Sequence, residues 1–141
     1  MGRKALTLVE LLVALALLGL LLGLGGLWWQ GLREETRLRE AASQFALDLQ
    51  RARAEARRQS RDWRVEVGSG GQYRLGPTTG TLSSRTLPHG ATFGRGGAVV
   101  FQAPYGLLDV PNRSFSIALG NRQIRVNVVG LTGKVVVLRE P

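Results

Sequence analysis

The chain has 141 residues and no cysteine, a length that suits one domain in addition to its N-terminal segment. The absence of cysteine excludes a disulfide framework and thiolate zinc sites. The formal charge of +9 comes from 19 basic and 10 acidic residues, and every basic residue except Lys4 and Lys134 is arginine. Such a basic excess suits a nucleic acid or an anionic lipid as partner, or a solvated basic face with no partner.

The first predicted element is an apolar helix, because residues 11–32 contain no charged side chain. A run of about 20 residues is long enough to cross the hydrocarbon core of a membrane. A secretory signal peptide has a shorter apolar region and a small-residue cleavage site, whereas residues 26–30 here read Gly-Leu-Trp-Trp-Gln. An ordinary signal anchor fits the length. We predict a transmembrane helix over residues 6–32, with Arg3 and Lys4 on the cytoplasmic side and the head in the periplasm.

Glu10 is the unusual residue of this segment, because it is a carboxylate at the start of an apolar run. An ionisable group costs roughly 2.5–3.5 kcal/mol at the centre of a membrane, and such a group needs a partner. If the chain were cut after Ala5, the new amine of Leu6 would lie roughly 6 Å from Glu10 along the helix axis. In a stack of helices, that amine could instead neutralise the Glu10 of a neighbour. The alternative is that Glu10 only caps the helix start.

These residues resemble the signal of type IV prepilins and of the pseudopilins of type II secretion. The resemblance rests on the segment Ala5-Leu6-Thr7-Leu8-Val9-Glu10-Leu11-Leu12. It implies that a prepilin peptidase removes residues 1–5, that Leu6 is then N-methylated, and that Thr7 and Glu10 serve assembly. The family most often has glycine at the position of Ala5.

Beyond the apolar run, the pattern predicts an amphipathic helix over residues 33–60. Apolar residues recur there at alternating spacings of three and four, which places them on one face of a helix. The stripe consists of Leu38, Ala42, Phe45, Leu49, Ala52 and Ala56. We expect this stripe to pack against the rest of the head, which we assign to residues 33–141.

From residue 61 onwards the period changes to two, which predicts a β-rich region over residues 61–141. Residues 63–67 and 73–75 form a hairpin around a glycine turn at 68–71, and residues 76–84 are predicted to be a loop. Further strands are predicted at 98–101, 115–119, 124–128 and 134–138. Short strands with tight turns indicate an antiparallel sheet packed on the helix, and therefore an α+β fold.

Three segments of the head carry a more specific resemblance. The first is Leu49-Gln50-Arg51-Ala52-Arg53-Ala54-Glu55-Ala56, and the second is residues 101–106, which begin with phenylalanine and end on glycine. They resemble the "L-x-x-A-R-x-E-A" helix and the strand and turn of the GspH/FimT subfamily of minor pseudopilins. Gly133-Lys134-Val135 is similar to its closing strand, with lysine for arginine. This resemblance implies a type IV pilin-like fold. It also implies other pilins or pseudopilins, the prepilin peptidase and inner-membrane lipid as partners.

The sequence gives no sign of catalysis, cofactor binding or metal binding. His89 lies alone in a predicted turn, where we expect an exposed or packing side chain. The aspartates at positions 48, 62 and 109 are scattered along the chain. The glycines at 68–71 precede a strand rather than a helix, which indicates a hairpin and not a phosphate loop. We therefore expect a protein that is not an enzyme.

Two hypotheses about function remain, beside a weaker one in which the domain is anchored but never assembles. The first is a minor pilin or pseudopilin in a type II secretion or type IV pilus filament. The second is a minor pilin that binds double-stranded DNA for uptake in natural transformation (competence). The FimT-type subunits implied by the resemblance carry a basic "G-R-x-R" motif, whereas position 136 here is valine. The candidate DNA-binding residues are Arg122, Arg125, Lys134 and Arg139.

Overall fold

The computed structural model describes residues 7–139, apart from the side chains of residues 24–31 and of residue 139. The chain forms two compact units, one up to Glu34 and one from Glu35 onwards. Helix α1, Leu8–Gln59, contributes to each of them. Its last turn carries Arg57 and Arg58, whose charge suits the negative end of the helix dipole.

The first unit consists of the N-terminal part of α1. Within the described part of the chain, no helix combines the length and the mean hydropathy that a membrane span requires. Of the predicted span 6–32, residue 6 and the side chains of residues 24–31 lie outside the described residues. The predicted leader, residues 1–5, also lies outside them.

The second unit contains the rest of α1 and the β-strands. The strands are β1 Trp63–Val67, β2 Gln72–Pro77, β3 Ser83–Thr86, β4 Thr92–Phe93, β5 Gly97–Gln102, β6 Leu107–Leu108, β7 Arg113–Leu119, β8 Arg122–Val129 and β9 Lys134–Arg139. Among the described residues they form two sheets with antiparallel pairing, in the orders β3-β2-β1-β5-β6 and β4-β7-β8-β9. The fold is therefore α+β, as predicted from the change of period.

The core lies between α1 and the two sheets. Every residue of the predicted apolar stripe is buried, so the prediction of the amphipathic face is confirmed. Phe45 lies at the centre of this core, with its ring 5.2 Å from that of Tyr73 on β2, 5.0 Å from Phe93 on β4 and 5.3 Å from Phe115 on β7. One helical side chain thus contacts both sheets.

The prediction of a loop over residues 76–84 is wrong at both of its ends. Gly76 and Pro77 continue β2, and Ser83 and Ser84 begin β3. All residues of β3 are exposed, so this edge strand lacks the alternation of apolar and polar residues by which strands are recognised. Gly76 serves a close approach, because a Cβ there would lie 2.9 Å from the carbonyl oxygen of Thr81.

Candidate functional site

The N-terminus of α1 is capped by reciprocal hydrogen bonds between Thr7 and Glu10. Glu10 N–H donates to Thr7 Oγ1 at 3.3 Å, while Thr7 N–H and Thr7 Oγ1 donate to Glu10 Oε2 at 3.0 and 2.9 Å. This is a capping box, in which two backbone groups without helical partners are satisfied together. The capping role weighed for Glu10 is therefore present. Among the described residues Glu10 Oε1 accepts no hydrogen bond, which leaves one carboxylate oxygen for another donor.

The residues expected to be processed, Ala5 and Leu6, lie outside the described part of the chain. Immediately after them, the side chains at 8–23 are exposed in a continuous row of mostly leucine. Gly19 and Gly23 share one helical face, and a Cβ added at either glycine would meet no atom within 4 Å. A helix with such a face can be approached closely by another helix.

The three motifs of the head meet at Arg53. Its Nε donates to the carbonyl oxygen of Gly106 at 3.3 Å, and its stem lies over Gly106 and Gly133. Both glycines have a positive φ, of +64° and +66°. A Cβ at Gly106 would lie 3.0 Å from the Cγ atoms of Arg53 and Arg57, so both the backbone angle and the space require glycine. The sequence motifs are thus joined by packing around one arginine.

The candidate DNA-binding residues lie in two groups rather than one. In the register of β8 and β9, Lys134 faces Val129 whereas Arg139 faces Ile124. The two basic residues are therefore at opposite ends of β9, roughly 17 Å apart along the strand. Arg122 and Arg125 lie in the half of β8 that faces Arg139, whose side chain is outside the described residues.

Arg122 and Arg125 project from opposite faces of β8, as their odd spacing predicts. Arg122 is on the side of Ile124 and forms an ion pair with Glu35 of α1, with Nη1 3.0 Å from Oε2. Arg125 is exposed on the other face. Engagement of Arg122 by a phosphate would therefore compete with its contact to Glu35.

The sequence did not reveal the ionic cluster around the buried carboxylate of Asp48. This carboxylate is 1% exposed and accepts a hydrogen bond from Tyr73 Oη at 2.6 Å. Arg85 Nη1 donates to both of its oxygens at 2.9 and 3.1 Å, and Arg51 Nη1 lies 3.4 Å from Oδ1. The available signal was the position of Asp48 three residues after Phe45, on the buried stripe of α1. Burial, followed by the hydrogen bond to Asp48, raises the pKa of Tyr73.

His89 has a partner that the sequence did not suggest. Its Nε2 lies 2.7 Å from Glu40 Oε2, which connects the short turn Pro88–Gly90 to α1. No group of histidine, cysteine, aspartate or glutamate among the described residues could hold a metal ion.

Comparison with known families decides the class of the protein. A profile of the family described as "Type II transport protein GspH" matches residues 41–132, about two thirds of the chain. The chain belongs to the GspH family. A second profile, described as "Prokaryotic N-terminal methylation motif", matches residues 1–26. The GspH match includes Arg53 and Gly106 and ends one residue before Gly133.

Solved structures show the same fold. Two crystal forms of the type IV minor pilin FimU of Pseudomonas aeruginosa (strain PAO1) superpose with TM-scores of 0.59 and 0.57, at 20% and 21% sequence identity. The superpositions cover 77% and 74% of this chain and 91% and 93% of FimU. No curated protein matches the sequence. This GspH-family chain has the type IV pilin fold, and it is a structural subunit of the minor pilin and pseudopilin class rather than an enzyme.

Proposed function

We propose that this GspH-family protein is a minor subunit of a type II secretion or type IV pilus filament, and that it assembles through the N-terminal part of α1. The observation that carries the proposal is the exposed apolar surface of residues 8–23, which lies within the match to a prokaryotic N-terminal methylation motif over residues 1–26. Such a surface is stable in lipid or against other apolar helices, and unfavourable in water. The subunit thus exchanges a lipid environment for contacts with neighbouring helices.

Processing prepares the N-terminus for this exchange. Cleavage between Ala5 and Leu6 by a prepilin peptidase, followed by N-methylation of Leu6, leaves a positive amine at the tip of the helix. Before assembly, residues 6–32 anchor the subunit in the inner membrane, with Arg3 and Lys4 in the cytoplasm and the head in the periplasm.

The charge of Glu10 then selects the correct axial position in the filament. Its Oε2 is occupied by Thr7, whereas its Oε1 is available to the Leu6 amine of a neighbouring subunit. In an apolar environment an unpaired carboxylate is costly, so a subunit docked in the wrong register is disfavoured.

The test separates the charge of Glu10 from its capping role. Glu10→Gln keeps an acceptor for the capping box, because glutamine also serves at this position, but removes the negative charge. We expect this variant to remain in the membrane fraction and to be lost from sheared filaments, as measured by immunoblot. Glu34→Gln, which removes an exposed charge from the same helix, should enter filaments normally. Normal incorporation of Glu10→Gln would overturn the mechanism.

A second function, DNA binding for uptake in natural transformation, is favoured by the basic residues of the second sheet. Arg125 and Lys134 are exposed on β8 and β9, and Arg122 and Arg139 lie on the same two strands. Double-stranded DNA would contact these strands through its phosphates, without sequence preference.

A further inference from the structure

A cleft lies between the last turns of α1 and the strands β2 and β3. Its volume is about 510 Å³, and its lining includes Arg51, Arg58, Gln59, Trp63, Ser83 and Arg85. The volume is within the usual range of roughly 300–1,000 Å³ for small-ligand sites. None of the candidate DNA-binding residues on β8 and β9 contributes to this lining.

Two arginines of the cleft, Arg51 and Arg85, form ion pairs with the buried carboxylate of Asp48. Arg85 and Arg51 approach its buried carboxylate through Nη1 alone. Asp48 is in turn fixed by the hydroxyl of Tyr73 at 2.6 Å. Among the described residues, Nε and Nη2 of Arg51 and Arg85 have no hydrogen-bond partner. The two guanidinium groups are therefore pre-organised, and their Nε and Nη2 groups can donate hydrogen bonds to a ligand.

Further donors come from the end of the helix. Arg58 uses Nε and Nη2 on Glu55 Oε2, at 3.0 and 2.8 Å, and these bonds help to hold the pKa of Glu55 below its ordinary value. Arg58 Nη1 remains without a partner in the described part of the chain. The indole Nε1 of Trp63 is buried there and finds no acceptor.

The charges of the cleft do not balance. Arg51, Arg58 and Arg85 contribute three positive charges, while Asp48 and Glu55 contribute two negative charges, which leaves one positive charge in excess. The excess is accompanied by unused N–H groups on each of the three arginines. A singly charged anion with several acceptor oxygens would satisfy both the charge and the donors.

We propose that this cleft binds a phosphate group. A carboxylate offers two oxygens along one edge, whereas a phosphate offers acceptors in several directions and suits donors that arrive from a helix and a strand. The phosphate is either inorganic or part of a nucleic-acid strand. The inference depends neither on filament assembly nor on the basic residues of β8 and β9.

The experiment uses the full chain in an uncharged detergent. Binding of a fluorescent oligothymidine strand and of a labelled DNA duplex is measured by anisotropy, and inorganic phosphate is titrated separately by its effect on Tm, with chloride at equal ionic strength as reference. The test variant is Arg51→Gln with Arg58→Gln, both of which are largely exposed. Arg85 is left in place because it neutralises Asp48. The matched control is Arg37→Gln with Arg95→Gln, which removes the same charge outside the cleft.

We expect the test variant to bind the phosphate-containing probe about tenfold more weakly or worse, with little change in the control, because each lost contact is a charge-assisted hydrogen bond. A Tm rise with inorganic phosphate, absent in the test variant, identifies free phosphate as a ligand. Binding of an oligonucleotide without that rise identifies a nucleic-acid strand. Equal losses in the two double variants would overturn the proposal. So would the absence of any binding and any Tm rise in the parent chain, or preferential binding of an oligoglutamate peptide.

Discussion

The aliphatic stem of Arg53 lies across two turns of the chain, one at Gly106 and one at Gly133. Arg53 also donates to the carbonyl oxygen of Gly106, so its side chain connects α1 to the turn before β6. Long basic side chains commonly bury such stems while their charged ends stay near water. The role of Arg53 in the head is therefore mainly one of packing.

Replacing Gly106 by alanine should destabilise the head by about 3 kcal/mol, because the new Cβ meets Arg53 and Arg57 in addition to the strain of a positive φ. Gly70→Ala is the matched control, since its φ is +71° and a Cβ there meets nothing within 4 Å. We expect about 1 kcal/mol for the control. Urea unfolding followed by circular dichroism measures both, and equal losses would show that space at Gly106 does not matter.

The pair of Tyr73 and Asp48 should make stability depend on alkaline pH. The folded state raises the pKa of Tyr73 above its ordinary value of 10, mainly through burial. Above about pH 10 the unfolded chain therefore loses this proton first, and the folded state holds more protons. The free energy of unfolding should fall as the pH rises further.

Tyr73→Phe tests this expectation. Without the hydroxyl, the buried Asp48 loses a donor, so we expect a loss of about 1.5–3 kcal/mol at neutral pH. The same variant should lack the part of the alkaline decrease that comes from Tyr73. Unfolding curves between pH 8 and about pH 11 provide the measurement, and an unchanged slope in Tyr73→Phe would contradict the assignment.

At the scale of elements, α1 holds the two sheets together through Phe45, which contacts one aromatic ring from the first sheet and two from the second. Phe45→Ala should therefore cost about 3–5 kcal/mol and affect both sheets. Leu47→Ala, on the same helix but 53% exposed, should change stability by less than about 0.5 kcal/mol. Amide hydrogen exchange of the strands is the decisive readout. Loss of protection confined to one sheet would refute the bridging role.

Most elements that the sequence predicted have side chains that alternate between a buried and an exposed face. The stripe of α1 and the strands β1, β5, β7 and β8 follow such patterns, whereas β9 is a run of four apolar residues between basic ones. These strands were predicted with bounds within two residues of those observed. The strands β3, β4 and β6 were missed. Strand β3 is wholly exposed, and β4 and β6 have two residues each, so tertiary pairing rather than local pattern decides their conformation.

The candidate sites also differ in whether a local sequence pattern predicts them. The capping pair of Thr7 and Glu10 is local in sequence and could be recognised from its spacing. The cluster around Asp48 joins residues that are 25 and 37 positions apart, so no local pattern reveals it. The separation of Lys134 from Arg122 follows from strand register, which the sequence alone does not define.

At the scale of the whole molecule, the net charge of +9 favours contact with polyanions, but its distribution determines whether DNA binds. If β8 and β9 form the DNA site, Arg122→Ala with Arg125→Ala should reduce the slope of log K against log salt concentration by about 1, because the two side chains project from opposite faces of β8 and a duplex lies against one face. Arg37→Ala with Arg95→Ala is a control that removes equal charge from outside these strands. The full chain in an uncharged detergent is titrated with double-stranded DNA at several salt concentrations.

Equal slopes for the two double variants would show that DNA contacts the molecule elsewhere or through diffuse charge. Absence of binding even at low salt would leave the second sheet as a solvated basic face. That result would leave filament assembly as the proposed function of the chain. A reduced slope confined to the β8 variant would favour a subunit that brings DNA to the filament.

The contact of Arg53 with two glycines also constrains how this head can evolve. Because the stem lies 3.0 Å from a Cβ built at position 106, a change at position 53 alters what position 106 can hold. At position 133 the stem is 3.6 Å from such a Cβ, and Phe101, at 3.1 Å, sets the tighter limit. A shorter residue at position 53 would relieve one contact at position 106, although Arg57 Cγ at 3.0 Å, the backbone oxygen of residue 53 at 3.1 Å and the positive φ would remain. In homologous chains, a side chain at position 106 should therefore be accompanied by changes at positions 53 and 57.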